Sequence, residues 1–326
     1  MKLSPSVLLP LSQLLLAPLR PAAAQTYTVT DLGTLPGGTY TFPSAINNLG
    51  HVTGTADAFV NVSATSTERG DEAFFWHNGK MEDIGNHNLL ISGGYAINDK
   101  DEIVGSGMDS CGNTSGYWKK GAKYPTVGNY GCAYGINNKG QIAEDTHAYY
   151  AALPDVHEAA INDAGLVVGS ADVSAKPGTE PHHAVLWRKG VRQDLGTLGG
   201  TESRALAVNT PGQIIGISSI AQAAADGNPL YHAFFWNAGK MTDLGTLPGD
   251  KQSGANALNA RAEVVGASGG RGCLWRGGKA YDLNALLPAG SGWILQGASG
   301  INNRGQIVGT GLHRGKKRGY LLTPKR

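Results

Sequence analysis

One short pattern returns seven times along this chain and constrains its fold more than any other feature. Each copy has a small residue, an apolar residue and Asn, then a tight turn, and then two apolar or β-branched residues that are usually followed by Gly. The Asn residues stand at positions 47, 98, 137, 162, 209, 259 and 302. Their mean spacing is about 42 residues, within the range of roughly 40–50 that is typical of β-propeller blades.

The copy that starts at Ala205 shows what each unit contains. Residues 205–209, 213–217, 232–236 and 240–245 read as four short strands, and Gly or Asn stands at the turns between them. Small residues in the first strand suit a crowded central axis. The adjacent apolar residues of the second strand predict burial on both faces, between neighbouring blades.

The two ends of the repeat region complement each other. Residues 27–33 match a fourth strand, and residues 319–324 match a third strand. Pairing of the two would close a ring and leave no free sheet edge. We therefore predict a single all-β domain over residues 25–326, a β-propeller of seven four-stranded blades closed by the N-terminal strand. Six blades is the alternative, if the short third unit merges with its neighbour.

The first 24 residues have the composition of a secretory signal peptide. Lys2 precedes an apolar run from Val7 to Leu19, and three alanines come before Gln25. Cleavage near Ala24 would yield a secreted or periplasmic product, and no later stretch is apolar enough to anchor it in a membrane. Loss of Lys2 and Arg20 leaves as many basic as acidic residues, which argues against a nucleic-acid partner.

The three cysteines allow at most one internal disulfide. Cys111 follows a second strand and Cys132 precedes a first strand, so both belong to loops at the same end of a blade. We predict a Cys111–Cys132 disulfide that stabilises the fold by roughly 3 kcal/mol. Cys273 lies within a third strand, where we expect a buried structural thiol.

Two recurring residues are interpreted as structural. Asn followed by Asn or Asp, and then Gly, is turn chemistry, because the amide side chain bonds its own backbone and Gly adopts the left-handed conformation. One Asp recurs in the outer strand of five units and is interpreted as an acceptor for a neighbouring turn. These Asp residues are Asp31, Asp83, Asp194, Asp243 and Asp282.

Two motifs carry a resemblance to a known family. His232-Ala233-Phe234-Phe235-Trp236 is followed by Asp243-Leu244-Gly245-Thr246-Leu247-Pro248-Gly249, and related segments occur at 31–38, 73–76, 183–187 and 194–200. The chain resembles the HAF repeat family of exported bacterial proteins over nearly all of residues 27–326. The resemblance implies bacterial export and supplies no catalytic residues.

The repeat breaks between Asn137 and Asn162, which are only 25 residues apart. The broken unit carries two histidines and four carboxylates, which two loops at the same end of a blade would bring together: Glu144, Asp145, His147, Asp155, His157 and Glu158. Such a cluster could hold a divalent cation or support acid–base chemistry. A shortened blade with polar ends is the competing interpretation.

The loops that vary in length and composition lie at one end of the predicted ring, and binding residues concentrate in such loops. We expect contacts there from Tyr40, Phe42, Phe59, Arg69 and Tyr231. The predicted function is that of an exported, monomeric, non-enzymatic binding or scaffold protein for a glycan, peptide or protein partner, without a cofactor. The alternative is a metal-assisted hydrolase or lyase that uses Glu144, His147 and His157.

Overall fold

The computed structural model describes residues 26–63, 66–85, 91–109, 112–119, 126–130, 132–145, 157–173 and 181–325. In these ranges the chain is built from antiparallel strands and one short 3-10 helix at Leu283–Leu286. The first two blades share a sheet, in which a single parallel bridge joins Asp71 to Ile91. Blade 1 is β2 (Thr41–Ile46), β3 (Val52–Ser63), β4 (Ser66–His77) and β5 (Lys80–Asp83), and blade 2 is β6 (Ile91–Ile97), β7 (Glu102–Asp109), β8 (Gly112–Lys119) and β9 (Thr126–Tyr130).

The remaining blades are separate four-stranded sheets. Blade 3 is β12 (His157–Ile161), β13 (Val167–Asp172), β14 (His182–Arg188) and β15 (Val191–Asp194). Blade 4 is β16 (Gly199–Val208), β17 (Ile214–Ala223), β18 (Pro229–Asn237) and β19 (Lys240–Asp243). Blade 5 is β20 (Ser253–Leu258), β21 (Val264–Ser268), β22 (Arg271–Arg276) and β23 (Lys279–Asp282). Blade 6 is β24 (Trp293–Ile301), β25 (Ile307–His313), β26 (Lys316–Pro324) and β1 (Tyr27–Asp31).

The prediction of a β-propeller is confirmed, with six complete blades in place of seven. In the part of the chain that the structure describes, the short third unit forms only the two-stranded hairpin of β10 (Cys132–Ile136) and β11 (Ile142–Asp145), between blades 2 and 3. The unit has Glu144 where the other units have Gly after the apolar pair. The alternative of six blades was therefore the correct one.

The N-terminal strand closes the ring as predicted. β1 pairs antiparallel with β26, and the register runs from Tyr27 opposite Pro324 to Asp31 opposite Tyr320. Both Tyr27 and Tyr320 are fully buried in this closing blade. The last blade therefore joins residues that lie almost 300 positions apart in the sequence.

A relay of hydrogen bonds between the Asn turns runs around the central axis. Each Asn side chain donates from Nδ2 to the main-chain carbonyl of the next Asn, and Asn302 donates to Asn47 at 3.0 Å to complete the circle. The other six bonds, from Asn47, Asn98, Asn137, Asn162, Asn209 and Asn259, measure 2.8–3.2 Å. The sequence identified the turns, but it did not predict that each turn binds the next.

The Oδ1 atom of the same Asn holds its own turn. In the last turn, Asn302 Oδ1 accepts hydrogen bonds from the amides of Arg304 and Gln306, both at 3.0 Å. The turn residue that is usually Gly has a positive φ, and Ala262 adopts 58° at this position. The left-handed conformation expected for the turns is therefore present even where the residue is not Gly.

The Gly that follows the apolar pair is required by a close approach of two backbones. The inner strand has a register shift opposite this position, between Ala205 and Ala207 in blade 4. A Cβ atom on Gly216 would lie 1.9 Å from the carbonyl oxygen of Arg204, and one on Gly266 would lie 2.0 Å from that of Gly254. The neighbouring apolar residues, such as Ile214 and Ile215, are fully buried between blades, as predicted.

Replacing Asn209 with alanine tests the relay. The change removes the hydrogen bond to the Asn259 carbonyl and leaves the part-buried amide of Gln213 without its acceptor. We expect a loss of about 1–3 kcal/mol in the free energy of unfolding, measured by chemical denaturation. Asn237→Ala, at an exposed strand end, is the matched control and should stay within about 0.5 kcal/mol. Equal losses in the two variants would contradict a special role for the relay.

Substitution of Gly216 tests the close backbone approach. A methyl group there overlaps the Arg204 carbonyl, so we expect Gly216→Ala to destabilise the protein by about 3 kcal/mol or more. Gly297→Ala is the control, because its Cβ would meet nothing closer than 3.8 Å. A Gly216→Ala variant as stable as the control would show that the inner strand can move aside.

Candidate binding site

In blades 3 and 4, His and Asp residues fasten the outer strand to the loop that follows it. In blade 4, Asp243 Oδ1 accepts a hydrogen bond from the Gly245 amide at 2.7 Å, while Oδ2 lies 2.8 Å from Nδ1 of His232. Ser253, on the first strand of the next blade, accepts from the Ala233 amide at 2.9 Å and donates to the Gly245 carbonyl at 2.7 Å. These residues therefore fasten one blade to the next.

The same arrangement recurs with small variations in other blades. Asp194 bonds the Gly196 amide and His183, and Ser203 bonds Ala184 and Gly196. In blade 5, Arg271 stands where His does elsewhere and lies 3.0 Å from Asp282. The structure thus supports a structural role for the recurring Asp residues. In blades 3 and 4, the loop that leads to the next blade is held by the same Asp and Ser contacts.

A buried carboxylate, Asp57, organises the loop of residues 32–40 that leads into blade 1. Asp57 is 3% exposed, and it accepts hydrogen bonds from the Tyr40 amide and the Thr39 hydroxyl, both at 2.8 Å, and from the Thr39 amide. It also pairs with the Arg69 guanidinium. Burial raises the pKa of Asp57, but these hydrogen bonds and the Arg69 charge outweigh it and hold the pKa below its usual value.

Three aromatic side chains belong to the same cluster of contacts. The Tyr40 hydroxyl donates to Asp71, and this hydrogen bond together with burial raises the pKa of Tyr40 to about 12. The rings of Tyr40 and Phe42 are 5.1 Å apart. Phe59 is 58% exposed, with the Arg69 guanidinium 5.0 Å from its ring centre.

The structure therefore brings together four of the five residues expected at the binding face. We call this cluster the Asp57 corner: Tyr40, Phe42, Asp57, Phe59 and Arg69. The fifth residue, Tyr231, lies in β18 of blade 4, where its hydroxyl donates to Glu202 at 2.6 Å. Tyr231 is therefore in a different part of the ring.

The hairpin that borders the Asp57 corner was not among the residues predicted from the sequence to bind. Arg318 of β26 donates a hydrogen bond to the Thr39 carbonyl, and Lys317 Nζ lies 5.6 Å from the Phe42 ring centre. Arg69 donates to the Gly37 carbonyl of the same loop at 3.1 Å. The run of basic residues from Arg314 to Arg318 was the available signal, but only ring closure places it beside blade 1.

The described residues cover only part of the broken third repeat. Glu144 and Asp145 end β11, while His157 and Glu158 begin β12, so the backbone places these positions at neighbouring strand ends. His147 and Asp155 lie outside the described residues, as does Cys111 of the predicted disulfide with Cys132. Over the described part of the chain, no group of three or more His, Cys, Asp or Glu residues could hold a metal ion.

A cavity of about 250 Å³ lies on the axis at the end where the Asn turns meet. The residues that follow the relay Asn residues contribute to its lining, among them Asn48, Asp99, Asn138 and Asp163. Asp99 accepts hydrogen bonds from the Asn48 amide and side chain at 2.8 and 3.0 Å. Asp163 accepts from the Asn138 amide and side chain at 2.7 and 3.0 Å, so both carboxylates already hold neighbouring turns.

The topology defines the chain as a β-propeller. No family model and no curated protein sequence matches it. Solved structures similar to it include the acylaminoacyl peptidase of Pyrococcus horikoshii, with 10% identity and a TM-score of 0.40 over 90% of this chain and 47% of the peptidase. They also include the β-propeller domain of the Trilobed protease from Pyrococcus furiosus, with 8% identity and a TM-score of 0.38 over 87% of this chain and 95% of that domain. The chain thus spans about half the length of the peptidase.

No helix in the described ranges is long and apolar enough to cross a membrane.

Substitution of Asp57 tests how the corner is held. Asp57→Asn removes the charge that pairs with Arg69. It also puts an NH2 group, which can only donate, against the N–H and O–H donors that face Asp57. We therefore expect a loss of about 2–4 kcal/mol in the free energy of unfolding at pH 7. The pKa of Asp57 is lower in the folded protein than in the unfolded chain, where it is about 3.9. The stabilisation is therefore fully present at pH values above the unfolded pKa, and it is lost as the pH falls through the folded pKa.

The difference in stability between wild type and Asp57→Asn should therefore shrink at low pH, in denaturation measured from pH 7 down to about pH 2.5. Glu68→Gln, an exposed site on the same blade, should change stability by less than about 0.5 kcal/mol at neutral pH. A pH-independent difference for Asp57→Asn would argue against an ionised, hydrogen-bonded Asp57.

Proposed function

We propose that this chain is an exported, monomeric, non-enzymatic binding protein whose propeller presents its long-loop end to a glycan, a peptide or another envelope partner. The observation that carries the proposal is the Asp57 corner, where the exposed ring of Phe59 on β3 lies beside the guanidinium of Arg69 on β4, which in turn holds the loop of residues 32–40. The same face was predicted from the variability of its loops, and four of its expected residues meet at this corner.

Rigidity of the loop favours binding. Asp57 accepts three hydrogen bonds from Thr39 and Tyr40, and the carbonyls of Gly37 and Thr39 are each held by an arginine. A loop fixed in this way loses little conformational entropy when a ligand docks, and more of the contact free energy then appears as affinity.

The residue types at the corner also suit recognition. A single exposed apolar side chain needs no explanation by itself. Phe59, however, is exposed beside Arg69, and Asp57 links Arg69 to Tyr40. Aromatic residues and arginine are the types most often found at the centres of binding sites. The corner can therefore offer an apolar surface and hydrogen-bond donors to one ligand.

Truncation of Phe59 tests the proposed function. The probes are isolated peptidoglycan sacculi and a panel of neutral and acidic polysaccharides, with binding measured by cosedimentation and affinity electrophoresis. We expect at least one probe to bind, and Phe59→Ala to weaken that binding by about tenfold or more, because the main exposed apolar contact is lost.

Leu49→Ala is the matched control for this experiment. Leu49 is 52% exposed, close to the 58% of Phe59, but it lies in an Asn turn at the opposite end of the ring. Its truncation should leave binding unchanged. The proposal fails if no probe binds the wild-type protein, or if the two variants lose binding to the same extent.

A further inference from the structure

The hairpin that joins β25 to β26 carries an uncompensated positive charge. It contains Arg314, Lys316, Lys317 and Arg318. Among the residues that the structure describes, none of these four forms an ion pair, and the first three are exposed. Four other arginines, Arg69, Arg261, Arg271 and Arg276, each lie within 4 Å of a carboxylate.

This cationic hairpin continues directly into the Asp57 corner. Arg318 reaches the Thr39 carbonyl and Arg69 reaches the Gly37 carbonyl, so the two guanidiniums hold positions two residues apart on one loop. Lys317 lies over Phe42. The charge of Arg69 is balanced by Asp57, and Asp71 adds a negative charge beside Tyr40, so the positive charge of this surface comes from the hairpin.

The charge is local and does not reflect the composition of the whole chain, whose formal net charge is +2. Attraction of nucleic acid by the electrostatic field of the whole protein requires a far larger excess of basic residues. The combination here is a short cationic strip that reaches the half-buried Phe42, with the exposed ring of Phe59 beside Arg69 in the same corner. It fits a chain of sugars in which negative groups alternate with apolar ring faces.

We infer that the cationic hairpin and the Asp57 corner together bind an acidic polysaccharide. The acidic groups of the ligand meet Lys316, Lys317 and Arg314, and a sugar ring packs on the exposed face of Phe59. This inference rests on the proposed function and adds the chemical class of the ligand. The attraction is electrostatic at the hairpin, so binding weakens as salt rises.

The test compares two charge-matched double variants. Lys316→Gln/Lys317→Gln removes two charges from the hairpin, and Lys240→Gln/Lys279→Gln removes two exposed charges from the starts of the outer strands β19 and β23. Arg318 is left in place because it holds the Thr39 carbonyl. The probes are alginate, which is a polymer of uronic acids, and neutral dextran, and affinity is measured by isothermal titration or affinity electrophoresis.

We expect wild type to bind alginate and not dextran, with affinity falling by about tenfold or more between about 50 and about 200 mM salt. The hairpin variant should bind alginate about tenfold more weakly at low salt, whereas the control variant should match wild type within about twofold. Phe59→Ala should also weaken binding to alginate. Thermal unfolding of each variant verifies that the fold is retained.

Three outcomes would overturn the inference. One is equal binding of dextran and alginate, another is equal loss in the two double variants, and the third is preference for single-stranded DNA or anionic lipid vesicles over alginate. Binding of a neutral glycan that depends on Phe59 but not on the lysines would refute the acidic ligand and leave the proposed function intact. If the protein bound no polysaccharide and no sacculi, both the proposed binding function and the acidic ligand would be refuted.

Discussion

The fold depends on a hydrogen bond between one Asn side chain and the next turn of the ring. Each Asn side chain accepts hydrogen bonds from backbone amides of its own turn and donates one to the backbone carbonyl of the Asn in the next turn. Asn302 donates to Asn47 and so closes the circle. The side chains are buried, so an unmade bond would leave polar groups without water as a substitute. A circle of such bonds sets the position of every inner strand at once, including the hairpin of the shortened third unit.

The outer part of the ring is fastened by a different set of contacts, and this division explains where binding can occur. Asp243, His232 and Ser253 show how an outer strand, the next loop and the next blade are joined. Once both ends of a connecting loop are fastened, its middle can vary without harm to the blade. In blade 1, the buried Asp57 and the more exposed Arg69 make further contacts of this kind. They hold the loop of residues 32–40 in place next to the exposed Phe59.

Much of the architecture could be predicted because the residues of each repeat specify the local backbone geometry of its unit. Turn residues, apolar pairs and the complementary ends act through neighbouring residues or through pairing along a strand, and they predicted the four-stranded units and the closing of blade 6 by β1. The number of complete blades was harder to predict, because the Asn137 turn persists in a unit that forms only a hairpin over its described residues. Tyr231 was grouped with the corner because loop variability identifies an end of the ring and not a position around it.

The sequence by itself determined the strands, their turns and the order in which they form a ring, because period, turn chemistry and alternation of small and apolar residues are properties of short segments. Only the tertiary structure decided which side chains share a surface. Arg318 and Thr39 are separated by almost the whole repeat region, and they meet because the closing strand brings the last blade against the first. The cationic hairpin and the Asp57 corner are therefore one surface only in the closed ring, since no local pattern encodes contact between the two ends of the chain.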